Sequence, residues 1–139
     1  MTRYLSLDYG EKRVGIAVSD PFNSMALPLA FIPNNDALIA NIVLLAEDYS
    51  ISNIVLGLPK HTQAGKETDK EKEVREFATR LEAQARLPIA FWDERFSTAA
   101  MTKQFKAHDI SRKKRKNIID SSAAAFILQG YLDKLNLGR

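Results

Sequence analysis

Residues 5–20 read LSLDYGEKRVGIAVSD, two apolar runs around a short polar segment, and the reading of this stretch decides the fold. The pattern predicts a β-hairpin with Gly10 in its turn. The first run ends in Asp8, an acid at the carboxyl end of a strand. In open α/β sheets ligands collect at that edge, where loops leave the strands. Gly10 tolerates positive φ and would let the backbone turn closely around the carboxylate. Taken alone, Asp8 can equally end the strand by bonding turn amides.

Outward from the hairpin, the sequence predicts strands over Arg3–Asp8, Arg13–Ser19 and Met25–Ile32, with Asp20-Pro21-Phe22-Asn23 turning the second into the third. A helix follows from a cap at Asn35 or Asp36, with Leu38, Ile39, Ile42, Val43, Leu45 and Ala46 on a broad apolar face. Asn53–Leu58 (NIVLGL) is a continuous apolar run, as expected of a strand covered on both faces. It ends in the turn signal Gly57-Leu58-Pro59. The next helix turns Val74, Phe77, Ala78, Leu81 and Ala85 inward, and its outer face, KETDKEKEVRE, reads as a solvated surface laced with opposite charges. A fifth strand, PIAFWDE, begins at Pro88; Ser97 then caps a helix with Met101 and Phe105 inward. After a basic loop, a last helix covers Asn117–Leu135, with Ile119, Ala123, Phe126, Ile127 and Tyr131 on one side. The order βββαβαβαα implies an α/β fold: one domain over residues 1–139, a mixed five-stranded sheet with helices on both faces.

Composition narrows the chemistry. The chain has 139 residues, enough for one real core, and no cysteine, which excludes disulfides and thiolate metal sites or nucleophiles. A tightly bound metal must sit on carboxylates, carbonyls or the two histidines, His61 and His108. The most apolar run, ALPLAFI, is too short to span a bilayer and the N-terminus enters a strand at once, so a cytoplasmic protein without a membrane partner is expected. A formal net charge of +3 is modest, but RKKRK at Arg112–Lys116 concentrates it.

Two further acids join Asp8. PIAFWDE ends in Asp93-Glu94, and only Glu94 shares an alternating face with Ala90 and Trp92. Asp120 falls in the first turn of the last helix, in line with Ala124, Ile127 and Tyr131, so it points inward. Strands that end in carboxylates bring like charges together, which costs energy unless a cation or proton is shared. Three inward acids and no cysteine favour Mg²⁺ or Mn²⁺, with room for two ions roughly 4 Å apart in phosphodiester hydrolysis.

The stretches LDYGEKRVGIAVSD, IVLGLP, DERFST and IIDSSAAAFILQGYLD, in that order, resemble the YqgF/RuvX family of RNase H-like nucleases. The resemblance implies an RNase H-like fold. It carries the catalytic and metal-binding acids onto Asp8, Glu94 and Asp120, with Asp8 shared by both ions. Gly10, Arg13, Gly15, Arg95, Ser97 and Thr98 match other recurring positions. The implied substrates are the 5′ end of precursor 16S rRNA or, within the same reaction class, a four-way DNA junction. One departure is the loop KHTQAGKETDKE, where many members carry an Asn and an Asp-Gly turn.

Nucleic-acid contacts are expected from Lys12, Arg13, Arg95 and Thr98 and from Arg112, Lys113, Lys114, Arg115 and Lys116, which would neutralise phosphates without reading sequence. Gly10, Gly57 and Pro59 are expected to shape turns. A monomer or weak homodimer acting on structured RNA or branched DNA fits this reading. An actin-like ATPase and a non-catalytic nucleic-acid-binding adaptor are the competing classes. The first lacks a second domain to close over ATP, and the second gains nothing from massed negative charge facing phosphates.

Overall fold

A computed structural model describes residues 2–59, 67–94 and 112–137, with side chains in the last segment from residue 122 onward. The hairpin at residues 4–19 is the centre of the sheet. Strand β1 (Tyr4–Tyr9) pairs antiparallel with β2 (Arg13–Ser19), and β2 pairs antiparallel with β3 (Ala26–Pro33). On its other side β1 pairs in parallel with β4 (Asn53–Leu58), which pairs in parallel with β5 (Ile89–Asp93). The order across the sheet is β3-β2-β1-β4-β5, the expected mixed five-stranded sheet. Parallel neighbours need a crossover, and helices α1 (Leu38–Asp48) and α2 (Asp69–Ala85) supply the two. The stretch with Ser97, Met101 and Phe105 lies outside the described residues.

Alternation along β1 divides the core. Leu5 and Leu7 face α1 and α2, where Leu38, Ile42, Val74, Phe77 and Leu81 close over them. Tyr4 faces the long helix α3 (Arg112–Leu137), with Val55, Ala124, Ile127, Leu128 and Leu132. The two faces explain why β4 carries a continuous apolar run: Ile54, Leu56 and Leu58 pack on one side, Val55 on the other. Ser6, also on the α3 side and fully buried, donates its hydroxyl to the Ala124 carbonyl at 2.6 Å. At the opposite pole Gln129 Oε1 accepts from the Ala26 amide at 3.0 Å and Asn136 Nδ2 donates to the Asn23 carbonyl at 3.1 Å, fixing α3 along the sheet.

Several boundaries differ from the sequence reading. Helix α1 starts after Ala37, without a side-chain cap; Asn35 Oδ1 instead accepts from the Ala37 amide at 2.9 Å in the turn before it. Helix α3 begins at Arg112, not Asn117, so RKKRK forms its opening turns and is not a loop. Lysine and arginine are good helix formers, and a charge run carries no apolar period to reveal a helix. The buried side of α3 is Ala124, Ile127, Leu128 and Leu132, while Ala123, Phe126 and Tyr131 are only half-buried. Gly57 sits inside β4 opposite Trp92 rather than in a turn. At Gly10 the requirement is closeness and not positive φ: a Cβ there would collide with the Arg13 carbonyl oxygen.

Candidate active site

Strand alternation delivers two acids to one place. On β1, Tyr4, Ser6 and Asp8 share the α3 face, and Asp8 lies at the carboxyl end, half-buried. On β5, Trp92 faces α3, with its ring edge-on to Tyr131 at 6.3 Å, and Glu94 follows two residues later, just past the strand. Between these strands runs β4. Its register sets Leu56 beside Leu7 and Gly57 beside Trp92, so Gly57 occupies the α3 face between the two acids. A Cβ at residue 57 would stand 2.5 Å from Glu94 Oε1 and 2.5 Å from Ile127 Cδ1. Only glycine leaves the carboxylate that space.

The electrostatics follow from the crowding. Burial pushes the Glu94 carboxyl up from its ordinary 4.5 to about 8; its hydrogen bond to Asp8 and the charge of Asp8 push the same way, Lys70 opposes them, and Asp93 adds to the rise. Without a cation, Glu94 thus keeps its proton at neutral pH and donates it in the hydrogen bond to Asp8. A pair of oxygen-only ligands in this state suits a hard divalent ion, which would replace the proton and relieve the repulsion. Among the described residues no group of three metal-ligating side chains forms.

The third acid, Asp120, lies on α3 one turn before Ala124, whose carbonyl meets Ser6. Ser6 precedes Asp8 on the same face of β1, so the helix backbone at residue 120 leads toward the Asp8 end of the strand. Its side chain lies outside the described residues. Residue 120 is eight positions into α3, not in its first turn, so the favourable field of a helix N-terminus does not account for an acid there.

Arg13 begins β2 on the α3 side, stacked with its guanidinium 5.2 Å from the centre of the Phe31 ring. Lys12 is exposed in the hairpin turn, and its carbonyl accepts from the Asn34 amide at 2.9 Å. Pro59 is half-buried just after β4. Tyr9, on the opposite face from Asp8, packs against Phe77 with ring centres 4.5 Å apart. Arg95, Ser97, Thr98, His61 and His108, and the side chains of Arg112, Lys113, Lys114, Arg115 and Lys116, lie outside the described residues.

Two features escaped the sequence reading. Gly57 was legible in principle, because a glycine inside an apolar strand marks a close approach. Lys70, grouped in the sequence with the charged helix face, has its charge acting at Glu94; its spacing of four from Val74 and seven from Phe77 sets it in line with the inward stripe, which that of Lys72 does not.

A mixed sheet of this order, with acids from its central strand β1 and its edge strand β5 meeting over β4, is an RNase H-like fold. Solved structures agree on the fold. Thermus thermophilus RuvC in complex with a Holliday junction substrate superposes with a TM-score of 0.56 at 10% identity, covering 98% of this chain and 97% of that one. Fowlpox virus resolvase with Holliday junction DNA gives 0.58 at 13% identity, covering 96% and 99%. The chain belongs to the RuvX family, whose model, described as Holliday junction resolvase, matches residues 2–134. A Bacillus subtilis (strain 168) protein, provisionally named a pre-16S rRNA nuclease, is 41% identical over 138 residues, spanning 96% of this chain and 99% of that one. A Rhodopseudomonas palustris (strain TIE-1) protein of the same name is 42% identical over 133 residues, spanning 94% and 82%. Among the described residues, no helix is long and apolar enough to cross a membrane.

Proposed function

We propose that this chain hydrolyses phosphodiester bonds in structured RNA, processing the 5′ end of precursor 16S rRNA, with Asp8, Glu94 and Asp120 as the acids that hold Mg²⁺ or Mn²⁺. The observation that carries the reading is the hydrogen-bonded Asp8–Glu94 pair, seated over Gly57 at the carboxyl edge of the sheet. The RNA substrate is supported by full-length relatives of about this identity named for pre-16S rRNA cleavage.

Each residue has a task in this mechanism. Asp8 is held by the central strand, hydrogen-bonded on both sides, and would hold divalent ions together with Glu94 and Asp120. Glu94 would hold an ion in its deprotonated form, so loading would become easier as pH rises. Asp120 completes the set from α3, a helix located by the Ser6–Ala124 hydrogen bond. Bound divalent ions supply an activated water and charge stabilisation of the phosphoryl oxygens. Lys12, Arg13, Arg95 and Thr98 and the run Arg112–Lys116 bind backbone phosphates and set the strand against the acids.

The family description favours a second substrate, a four-way DNA junction. One panel separates the two. A precursor 16S rRNA 5′ fragment, a four-way DNA junction and single-stranded RNA are incubated with Mg²⁺, Mn²⁺ or chelator, using wild type and Asp8→Asn. Cleavage of the rRNA fragment that disappears with chelator and with Asp8→Asn supports the proposal. Preference for the junction transfers it to a resolvase, and binding without any cleavage leaves an adaptor.

A further inference from the structure

Near the start of α2 one basic residue, Arg75, is ion-paired, while Lys70 stands exposed in the first turn. Arg75 pairs with Glu67 Oε1 at 3.1 Å and lies 3.9 Å from Glu71 Oε2, while Thr68 caps the helix by accepting from the Glu71 amide at 3.1 Å. Lys70 forms no ion pair among the described residues, and its charge acts on Glu94.

The packing explains why. The Arg75 guanidinium stands 5.2 Å from the centre of the Phe91 ring on β5. Helix α2 ends at Ala85 and β5 begins at Ile89, so stepping back along the helix and forward along the strand are moves in the same direction. Lys70 is five residues back from Arg75, about 7.5 Å along the helix. Glu94 is three residues on from Phe91, about 10 Å along the strand direction. The first turn of α2 therefore overhangs the carboxyl edge of the sheet, where the acids meet.

We infer that Lys70 is a phosphate anchor of this site, gripping the nucleic-acid backbone on the α2 side of the Asp8–Glu94 pair, an inference that rests on the phosphodiesterase reading. Two carboxylates repel an approaching phosphodiester, and a cation beside them offsets that repulsion. Lysine suits the task as a compact point charge on a flexible stem that tracks a moving phosphate without demanding bidentate geometry. The run Arg112–Lys116 belongs to α3, which covers the other face, so the strand is held from two helices.

The test uses the full chain and a 5′-labelled single-stranded RNA spanning the 5′ end of precursor 16S rRNA. Binding is followed by anisotropy against salt concentration in the Asp8→Asn background, with and without Lys70→Gln. Loss of one phosphate contact makes the log–log salt slope shallower by about 0.7. With Asp8 intact, Lys70→Gln lowers kcat/KM by about tenfold, the loss of one charged hydrogen bond. Lys70→Arg restores both quantities, and Lys72→Gln, two residues away on the same helix, changes neither. An unchanged slope and unchanged kcat/KM in Lys70→Gln overturn the inference while leaving the nuclease reading intact. A wild type that neither binds nor cleaves RNA removes the phosphodiesterase reading, and the inference with it.

Discussion

Glu94 lies directly over Gly57, and the absent Cβ is the space its carboxylate uses. The nearest obstacles to a methyl at residue 57 are Glu94 Oε1 and Ile127 Cδ1, both at 2.5 Å, with Glu94 Cγ at 3.0 Å. The Glu94 side chain can swing away, whereas Ile127 is fixed in the core beneath α3. Substitution there therefore acts on the acid pair and on the packing of α3 at once.

Gly57→Ala is expected to cost about 1–3 kcal/mol through overpacking. Cleavage should fall further than the lost stability explains, because the displaced carboxylate no longer meets Asp8. Urea denaturation alongside initial rates, taken well below both unfolding midpoints, separates the effects. A destabilised enzyme with wild-type rates would show that Glu94 need not occupy this position.

The raised Glu94 carboxyl links stability to pH. Between pH 4.5 and about 8 the metal-free folded chain keeps a proton that the unfolded chain has released. The stabilisation is complete below the lower value and is lost as pH rises through the higher one. A single proton sets a ceiling of about 1.4 kcal/mol per pH unit on the slope. Melting with chelator should fall across this window in wild type and far less in Glu94→Gln, and Mg²⁺ should restore wild type most at the alkaline end. Parallel profiles for the two proteins would mean that Glu94 does not carry the proton.

Asp8→Asn is expected to separate activity from stability. Removing a ligand common to both ions forfeits several kcal/mol of transition-state stabilisation, a rate loss of about 10³-fold or more. The same change removes a like charge beside Glu94, so the metal-free protein should melt higher than wild type at pH 8. Calorimetry with chelator and a cleavage time course with Mg²⁺ test the two halves; a lower melting temperature would contradict the crowded-carboxylate account.

Ser6 ties the sheet to α3 through its 2.6 Å hydrogen bond to the Ala124 carbonyl. Ser6→Ala should cost about 1 kcal/mol, seen as a lower urea midpoint with an unchanged m value. A changed m value would instead indicate that α3 detaches before the sheet unfolds.

Much of this architecture is local and was therefore readable from the sequence alone. The hairpin at residues 5–20, the period-two placement of Asp8 and Glu94 and the inward stripe of α2 all follow from backbone geometry within a few residues. Where the local signal is weak the element is hidden: RKKRK has no apolar period, and its helix is visible only once the chain is folded. The tertiary structure alone decided which distant residues meet. Gly57 and Trp92 are neighbours because β4 and β5 pair in one register, and the charge of Lys70 acts at Glu94 because α2 runs antiparallel to β5, with Arg75 over Phe91. Register and packing are set by burial of side chains far apart in sequence, so the acids can be named from their strands, but which acid the glycine of β4 admits and which acid the lysine of α2 acts on emerge only from the fold.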